Sequence, residues 1–95
     1  MMAYRSLATA AGNVRTDEKT LLEFKGAGWI EVVQKDGNAF VSGADEYRSR
    51  FILHLRQKLY LTDLEIGIVL THGKPPYSLD KVPAILALHA DAGPA

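Results

Sequence analysis

The residues of this chain that could carry out chemistry are few, and their spacing fits neither a metal site nor a phosphate site. His54, His72 and His89 are not spaced as ligands on one helical face, and no cysteine accompanies them. The Gly26–Gly28 segment lacks the Gly-Lys-Ser/Thr ending of a phosphate-binding loop, and proline follows Lys74 in the only Gly-Lys pair. We therefore expect no metal, no cofactor and no enzymatic activity.

Serine and threonine hydroxyls stand directly before helix-like segments. A hydroxyl at that position accepts a hydrogen bond from a backbone N–H of the first turn, so capping explains it better than nucleophilic catalysis does. The residues concerned are Ser6, Thr16, Ser42 and Thr62. The hydroxyls thus indicate where helices begin.

Composition limits the classes of function. The 95 residues are 47% hydrophobic and 23% charged, which is typical of one small globular domain. Eleven basic and eleven acidic residues give zero net charge, whereas binding to a DNA backbone needs a clustered positive surface. No apolar run approaches the roughly 20 residues of a membrane span, and the N-terminus lacks the apolar core of a signal peptide. We expect a cytoplasmic protein, and its small size favours help from a dimer partner.

Capping and glycine signals predict two short helices in the first 28 residues. Ser6 should cap a helix over Leu7–Ala11 that Gly12 ends. Thr16 should cap a second helix, which Gly26 and Gly28 end. The linking residues 12–15 have the right number, with a glycine, for a helix-turn-helix.

A β-hairpin, or wing, is predicted next. Trp29–Val33 is rich in aromatic and β-branched residues, Asp36–Asn38 is a strong turn signal, and Ala39–Val41 offers the return strand. Ala3–Arg5 is expected to be an extended lead-in to the first helix.

A third helix should begin at Ser42, with Asp45 completing a capping pattern. Its predicted core stripe consists of Ala44, Tyr47, Phe51, Leu55 and Leu59. The other side carries the densest basic cluster of the chain, namely Arg48, Arg50, Arg56 and Lys58. A solvated helix face is the simplest interpretation of that cluster.

The C-terminal part contains two more helix signals. Thr62 with Glu65 forms a capping box before a helix that is apolar all round, so we expect it to be buried on more than one side or to form half of a dimer contact. Prolines break the chain after His72. A last helix should run from about Lys81 to Ala90 with Asp80 as its cap.

The remaining residues, Asp91–Ala95, should form a frayed tail.

Two stretches resemble a known superfamily. Thr20–Ile30 resembles the second helix of the MerR-type winged helix-turn-helix domain, in its aliphatic residue, later aromatic residue and glycine before an apolar pair. Leu55–Thr71 is similar to the chaperone-modulator protein CbpM family, in a Leu-Arg pair, two spaced leucines and the apolar helix that follows. The resemblance covers roughly Ser6 to Thr71.

The resemblance implies a fold class that is mainly α with a small β-hairpin. A MerR-like winged helix-turn-helix domain with its following apolar helix would span residues 1–72. A Pro-containing connector, a C-terminal helix and a tail would span residues 73–95. Pro75 and Pro76 and the short last helix depart from the long coiled coil by which MerR regulators dimerise.

The function that the resemblance implies is that of an adaptor. Such a chaperone modulator binds the J-domain of a DnaJ-like co-chaperone and regulates its action with the Hsp70 chaperone DnaK. The arginine that DNA-binding MerR regulators usually carry in the second helix is Leu22 here, and the basic pair of their wing aligns with Asn38 and Ala39. These departures favour a protein partner over DNA.

The charges of the second helix also favour a protein partner over DNA. Asp17 and Glu18 lie at its N-terminus and Glu23 further along, so the helix should repel DNA. J-domains typically display a positively charged helix, so we expect the partner to contact these three carboxylates. The alternative is that Asp17 and Glu18 only complement the helix dipole.

Two other classes of function stay open. A transcription regulator of the heat-shock-repressor type would bind DNA phosphates through basic residues, with an affinity that falls steeply as salt rises. Those residues would be Arg15, Lys19, Lys35, Arg48 and Arg50. An antitoxin-like or oligomer-forming module would instead depend on the apolar helix Asp63–Thr71, and its mass in solution would reveal it.

Overall fold

A computed structural model describes residues 3–92, with side chains described through Leu88. The chain is mainly helical with a small three-stranded antiparallel sheet. The elements, in order, are β1 (Tyr4–Ser6), α1 (Leu7–Asn13), α2 (Glu18–Gly26), β2 (Val33–Lys35), β3 (Asn38–Ser42), α3 (Gly43–Lys58), α4 (Asp63–His72), a 3-10 turn (Leu79–Lys81) and α5 (Val82–Ala92). The chain divides into two compact units, and the boundary lies between Phe51 and Ile52, within α3.

Helix α1 begins as predicted and ends later than predicted. The Ser6 hydroxyl accepts a hydrogen bond from the Thr9 N–H at 3.1 Å, which confirms the cap. The helix continues through Gly12, so the prediction that this glycine ends it is wrong. The chain reverses instead at Arg15, which has a φ of 61°. The Thr16 and Arg15 N–H groups donate to carbonyls of the last turn, an arrangement that usually carries glycine in the place of Arg15.

Helix α2 is capped by Asp17, so the prediction of Thr16 as N-cap is wrong by one residue. The Asp17 carboxylate accepts hydrogen bonds from the Thr20 N–H at 2.8 Å and from the Thr20 hydroxyl at 2.7 Å. The predicted glycine stop is confirmed, because Gly28 has a φ of 80° and the Trp29 N–H donates back to the Phe24 carbonyl. Phe24 is fully buried in the core of the first unit.

The sheet has the strand order β1-β3-β2. Asp36 and Gly37 both have positive φ, as the two central residues of a tight hairpin turn require, so the turn prediction is confirmed. The predicted first strand is misplaced, because β2 starts only at Val33 while Ile30 and Val32 are buried in the core. The sequence pattern of apolar residues before Val33 therefore reports core packing instead of strand pairing.

The predicted lead-in segment belongs to the same sheet. Arg5 in β1 pairs with Val41 in β3, and Val41 is fully buried on the face that packs on the core. Strand β1 is thus an edge strand of the sheet and pairs with the second strand of the hairpin.

Helix α3 begins where predicted, since the Ser42 hydroxyl accepts from the Asp45 N–H at 3.1 Å. The predicted core stripe is only partly correct. Phe51 and Leu55 are buried, whereas the other three members of the stripe, Ala44, Tyr47 and Leu59, are exposed. The remaining buried positions of this helix are Glu46, Ser49, Ile52 and Leu53.

Two buried polar residues explain why the buried side of α3 differs from the predicted apolar stripe. Ser49 is fully buried, and its hydroxyl donates to the Asp45 carbonyl at 2.8 Å within the same helix. Glu46 is also buried and accepts two side-chain hydrogen bonds. Polar residues with satisfied hydrogen bonds can occupy core positions that a purely apolar pattern assigns elsewhere.

In the second unit, α4 begins with the predicted capping box. The Glu65 N–H donates to the Thr62 hydroxyl at 3.2 Å, and the Thr62 N–H donates to the Glu65 carboxylate at 3.0 Å. Ile66 and Val69 are buried, but Leu64 is 76% exposed. Burial within the chain therefore includes Ile66, Val69 and Leu70 but not Leu64, and the alternative of a dimer contact stays a prediction.

The last helix starts differently from the prediction. A 3-10 turn precedes it, and the Ser78 hydroxyl caps that turn by accepting from the Asp80 N–H at 3.3 Å, so Asp80 is not the cap. Helix α5 includes Asp91 and Ala92, and the rest of the predicted tail, residues 93–95, lies outside the described residues. Within residues 3–92 the structure contains no helix long and apolar enough to cross a membrane.

Candidate partner-binding surface

The exposed surface of α2 combines acidic, basic and apolar side chains. Glu18 and Glu23 are both exposed, and Leu22, four residues after Glu18, is 46% exposed. Residues four apart in a helix lie on the same side, so Glu18 and Leu22 share one surface. Lys19 and Lys25 are exposed on the same helix. The sequence-predicted carboxylates are therefore accessible to a partner.

Asp17 differs from the other two predicted carboxylates because it has a role in its own helix. Hydrogen bonds from the Thr20 hydroxyl and then from the Thr20 N–H lower the pKa of Asp17 from its ordinary value of 3.8. These donors stabilise the ionised carboxylate. Asp17 consequently caps α2 while remaining exposed.

Two arginines predicted for DNA phosphates bind backbone carbonyls of their own unit. The Arg48 Nε–H donates to the Trp29 carbonyl at 2.6 Å, just beyond the end of α2. An Arg50 N–H donates to the Asn13 carbonyl at 3.2 Å, at the last residue of α1. Carbonyls at helix C-termini lack partners within their helix and attract positive charge. Arg50 therefore binds the end of α1, and Arg48 binds the segment that follows α2.

The other basic residues of the DNA-binding alternative lie on three different segments. Arg15 is in the reversal between α1 and α2, Lys19 is in the first turn of α2, and Lys35 is the last residue of β2. All three side chains are exposed. Lys19 is separated by one residue from Asp17 and is adjacent to Glu18, so the positive charge of this turn is offset by neighbouring carboxylates.

Sequence reasoning missed Glu46, the most buried carboxylate of the first unit. Its two oxygens accept hydrogen bonds from Arg5 at 2.9 Å and from the Asn13 side-chain amide at 3.0 Å. It therefore joins β1, α1 and α3. The spacing of Glu46, Ser49 and Leu53 at three and four residues is the signal that could have identified it as inward-facing.

The surface clefts of the first unit include two shallow ones. The larger, of about 460 Å³, lies on the sheet and is lined by Tyr4, Val33, Lys35 and Phe40. The smaller, of about 350 Å³, is lined by residues 28–31 and by four residues around the start of α3, including Asp45 and Arg48. In the smaller cleft the Ser42 hydroxyl donates to the Asp45 carboxylate at 3.2 Å, and the same hydroxyl caps α3 by accepting from the Asp45 N–H. Across the part of the chain that the structure describes, no group of three or more metal-ligating side chains is found.

The geometry therefore leaves the acidic and apolar face of α2 as the best candidate for a functional surface. Comparison with known proteins finds no relative: the chain matches no protein-family model, no curated protein and no solved structure.

Proposed function

We propose that this protein is a chaperone modulator, an adaptor that binds the J-domain of a DnaJ-like co-chaperone and so regulates its action with the Hsp70 chaperone DnaK. We further propose that β1 through α4 form a MerR-like winged helix-turn-helix domain with its following apolar helix. The element order, the short reversal between α1 and α2 and the tight β2–β3 hairpin support this fold. The resemblances of residues 20–30 and 55–71 support the function.

The observation that carries the proposal is the contrast in how charges are used. Glu18 leaves its carboxylate in solvent on the same side of α2 as the exposed Leu22, and Glu23 is exposed on the side of Lys19. Arg48 and Arg50, which would be needed on DNA phosphates, donate to backbone carbonyls of the protein itself. A basic protein surface with an apolar centre is complementary to such a face, because opposite charges steer the encounter and the leucine supplies apolar contact.

The acidic residues also argue against insertion of α2 into a DNA groove. Its N-terminal turn would bring Asp17 and Glu18 toward phosphates and base edges. Like charges placed at such short distance oppose binding. The DNA-binding alternative accordingly rests on Arg15, Lys19 and Lys35, which lie on three separate segments.

The test measures binding of a purified J-domain to the whole chain by titration calorimetry, before and after Glu18 and Glu23 are both replaced with lysine. We expect the double variant to bind at least about tenfold more weakly, because two attractions become repulsions. The wild-type affinity should also fall as salt rises. Asp17 stays unchanged in this test, so that the cap of α2 is preserved.

Glu31→Lys is the matched control. Glu31 is exposed and lies after α2, so its reversal makes the same kind of charge change outside the proposed surface. Circular dichroism should show all variants folded. Equal J-domain affinity for the double variant and the control would exclude the proposed surface. Salt-sensitive binding to duplex DNA, with no binding to the J-domain, would favour the regulator instead.

A further inference from the structure

The sheet of the first unit has one buried face and one exposed face. Val41 in β3 is fully buried on the face that packs on the core. Because side chains alternate across a strand, Phe40 lies on the other face, with Ser6 and Val33 directly opposite it on the two neighbouring strands. Tyr4 lies two residues before Ser6 in β1 and shares this face, where its side chain is 53% exposed. The exposed face thus carries aromatic rings on two adjacent strands.

These rings border a cleft that has the volume of a small-molecule site. The cleft of about 460 Å³ on the sheet is lined by Tyr4, Val33, Lys35 and Phe40, and we call it the sheet cleft. Small-molecule sites usually occupy roughly 300–1,000 Å³, with walls that are mostly apolar and aromatic and a few polar or charged groups that orient the ligand. Tyr4, Val33 and Phe40 supply such walls, and Lys35 supplies one charge.

The charge of Lys35 determines which ligands are complementary to the sheet cleft. Lys35 is exposed, and among the described side chains its ammonium group has no carboxylate partner. Asp36 follows it in the hairpin turn but does not pair with it, and Asn38, directly opposite Lys35, is uncharged. The described residues that line the cleft include no carboxylate. The cleft therefore favours an anion over a cation.

We propose that the sheet cleft binds a small aromatic carboxylate. The rings of Tyr4 and Phe40 offer aromatic surface to a planar ring, and contacts between rings contribute more than the apolar area that they bury. The Lys35 ammonium attracts the carboxylate of the ligand. A nucleic-acid strand would need several cations along its backbone, and Lys35 is the only one among the described residues that line the cleft.

This site is separate from the surface proposed for the J-domain. Glu18 and Glu23 belong to α2, whereas the sheet cleft is formed by β1, β2 and β3. Binding of a small carboxylate to the cleft requires no J-domain and none of the carboxylates of α2. Either proposal can therefore fail without the other.

The test is titration of the full chain with naphthoate, followed by two-dimensional amide NMR spectroscopy. We expect saturable binding with a dissociation constant of about 1 mM or lower, as is usual for a ligand of this size. The shift changes should concentrate in β1, β2 and β3. Naphthamide has the same rings and no charge, and it should bind about threefold more weakly because it lacks the attraction to Lys35.

Two variants separate the charge from the aromatic surface. Lys35→Gln should weaken naphthoate binding by about threefold and leave naphthamide binding unchanged. Lys25→Gln is the matched control, because Lys25 is exposed on α2 and its loss changes the net charge equally outside the cleft. Tyr4→Ser should weaken both ligands by a similar factor, since both lose the same ring contact. Circular dichroism should show the three variants folded.

Three results would overturn the proposal. The first is a wild-type chain that shows no saturable shift changes up to about 10 mM naphthoate. The second is a set of shift changes that lies outside the sheet. The third is an equal effect of Lys35→Gln and Lys25→Gln on naphthoate affinity. The first two results come from the wild-type chain, so they test the cleft independently of any effect of substitution on folding.

Discussion

Helices α2 and α3 carry similar charged residues and use them in opposite ways. On α2 the carboxylates of Glu18 and Glu23 lie in solvent. On α3 Glu46 is buried against Arg5 and Asn13, and Arg48 binds the Trp29 carbonyl. What separates the two helices is the presence of a neighbouring group that lacks a partner, such as the carbonyls beyond a helix end. Charge alone does not show whether a residue holds the fold or faces a partner.

This difference should appear in stability. An exposed charge that meets water on most sides contributes little to the free energy of unfolding. A partly buried charge with hydrogen bonds contributes more, because its loss leaves its partners without acceptors or donors. Substitutions of Glu46 and Arg48 on α3 should therefore destabilise the protein, and substitutions of the exposed charges of α2 should not.

The largest effect is expected for Glu46→Ala. The change leaves the Arg5 guanidinium and the Asn13 amide without their acceptor in a part-buried site. We expect the free energy of unfolding to fall by about 2–3 kcal/mol. Urea denaturation measures it, with Glu23→Ala as the control, which should change stability by no more than about 0.5 kcal/mol. Equal losses for the two variants would remove the distinction between the helices.

A smaller loss is expected for Arg48→Ala. The variant lacks the 2.6 Å hydrogen bond to the Trp29 carbonyl, which follows the glycine stop of α2. Hydrogen bonds to charged groups contribute about 1.5–3 kcal/mol. Because Arg48 is only partly buried, we expect a loss of about 1.5 kcal/mol. Lys19→Ala, on exposed α2 surface, is the comparison and should be nearly neutral. If Arg48→Ala is also neutral, α3 does not hold the end of α2 through this arginine.

Much of the local structure could be predicted because it depends on near neighbours in sequence. The capping box of Thr62 and Glu65, the cap at Ser6 and the Asp36–Gly37 turn are each decided by side chains within three residues. The wrong N-cap prediction at Thr16 is also a local error of one residue. Thr16 and Asp17 can both cap a helix, and the carboxylate of Asp17 does so here.

Long-range features could not be predicted in the same way. The pairing of β1 with β3 joins residues 34 to 38 positions apart, and no local pattern in Tyr4–Ser6 predicts it. The buried face of α3 depends on Arg5 and Asn13 meeting Glu46, so an apolar stripe through Tyr47 was the wrong guide. Of the candidate surface, the exposure of Glu18 and Glu23 follows from helix periodicity, but the involvement of Arg48 and Arg50 in helix ends required the tertiary structure.

Asp17 lies between the two classes of charge, since it is exposed and yet caps α2. Its pKa is lowered in the folded protein, so its contribution to stability is present above its ordinary value of 3.8 and is lost as the pH falls through the lower folded value. Asp17→Asn keeps a capping oxygen and removes the titration. We therefore expect the stability difference between wild type and Asp17→Asn to shift in favour of the variant when the pH falls below about 3.8.

Thermal unfolding at pH 7 and at stepwise lower pH measures this smallest effect. Glu18→Gln is the control, because it removes a neighbouring exposed carboxylate and leaves the Asp17 cap intact. If the difference between wild type and Asp17→Asn does not change across the acid range, the hydrogen bonds from Thr20 do not stabilise the ionised form. Asp17 would then belong with Glu18 and Glu23 as a carboxylate whose main neighbour is solvent, and it should be included among the residues reversed in the J-domain test.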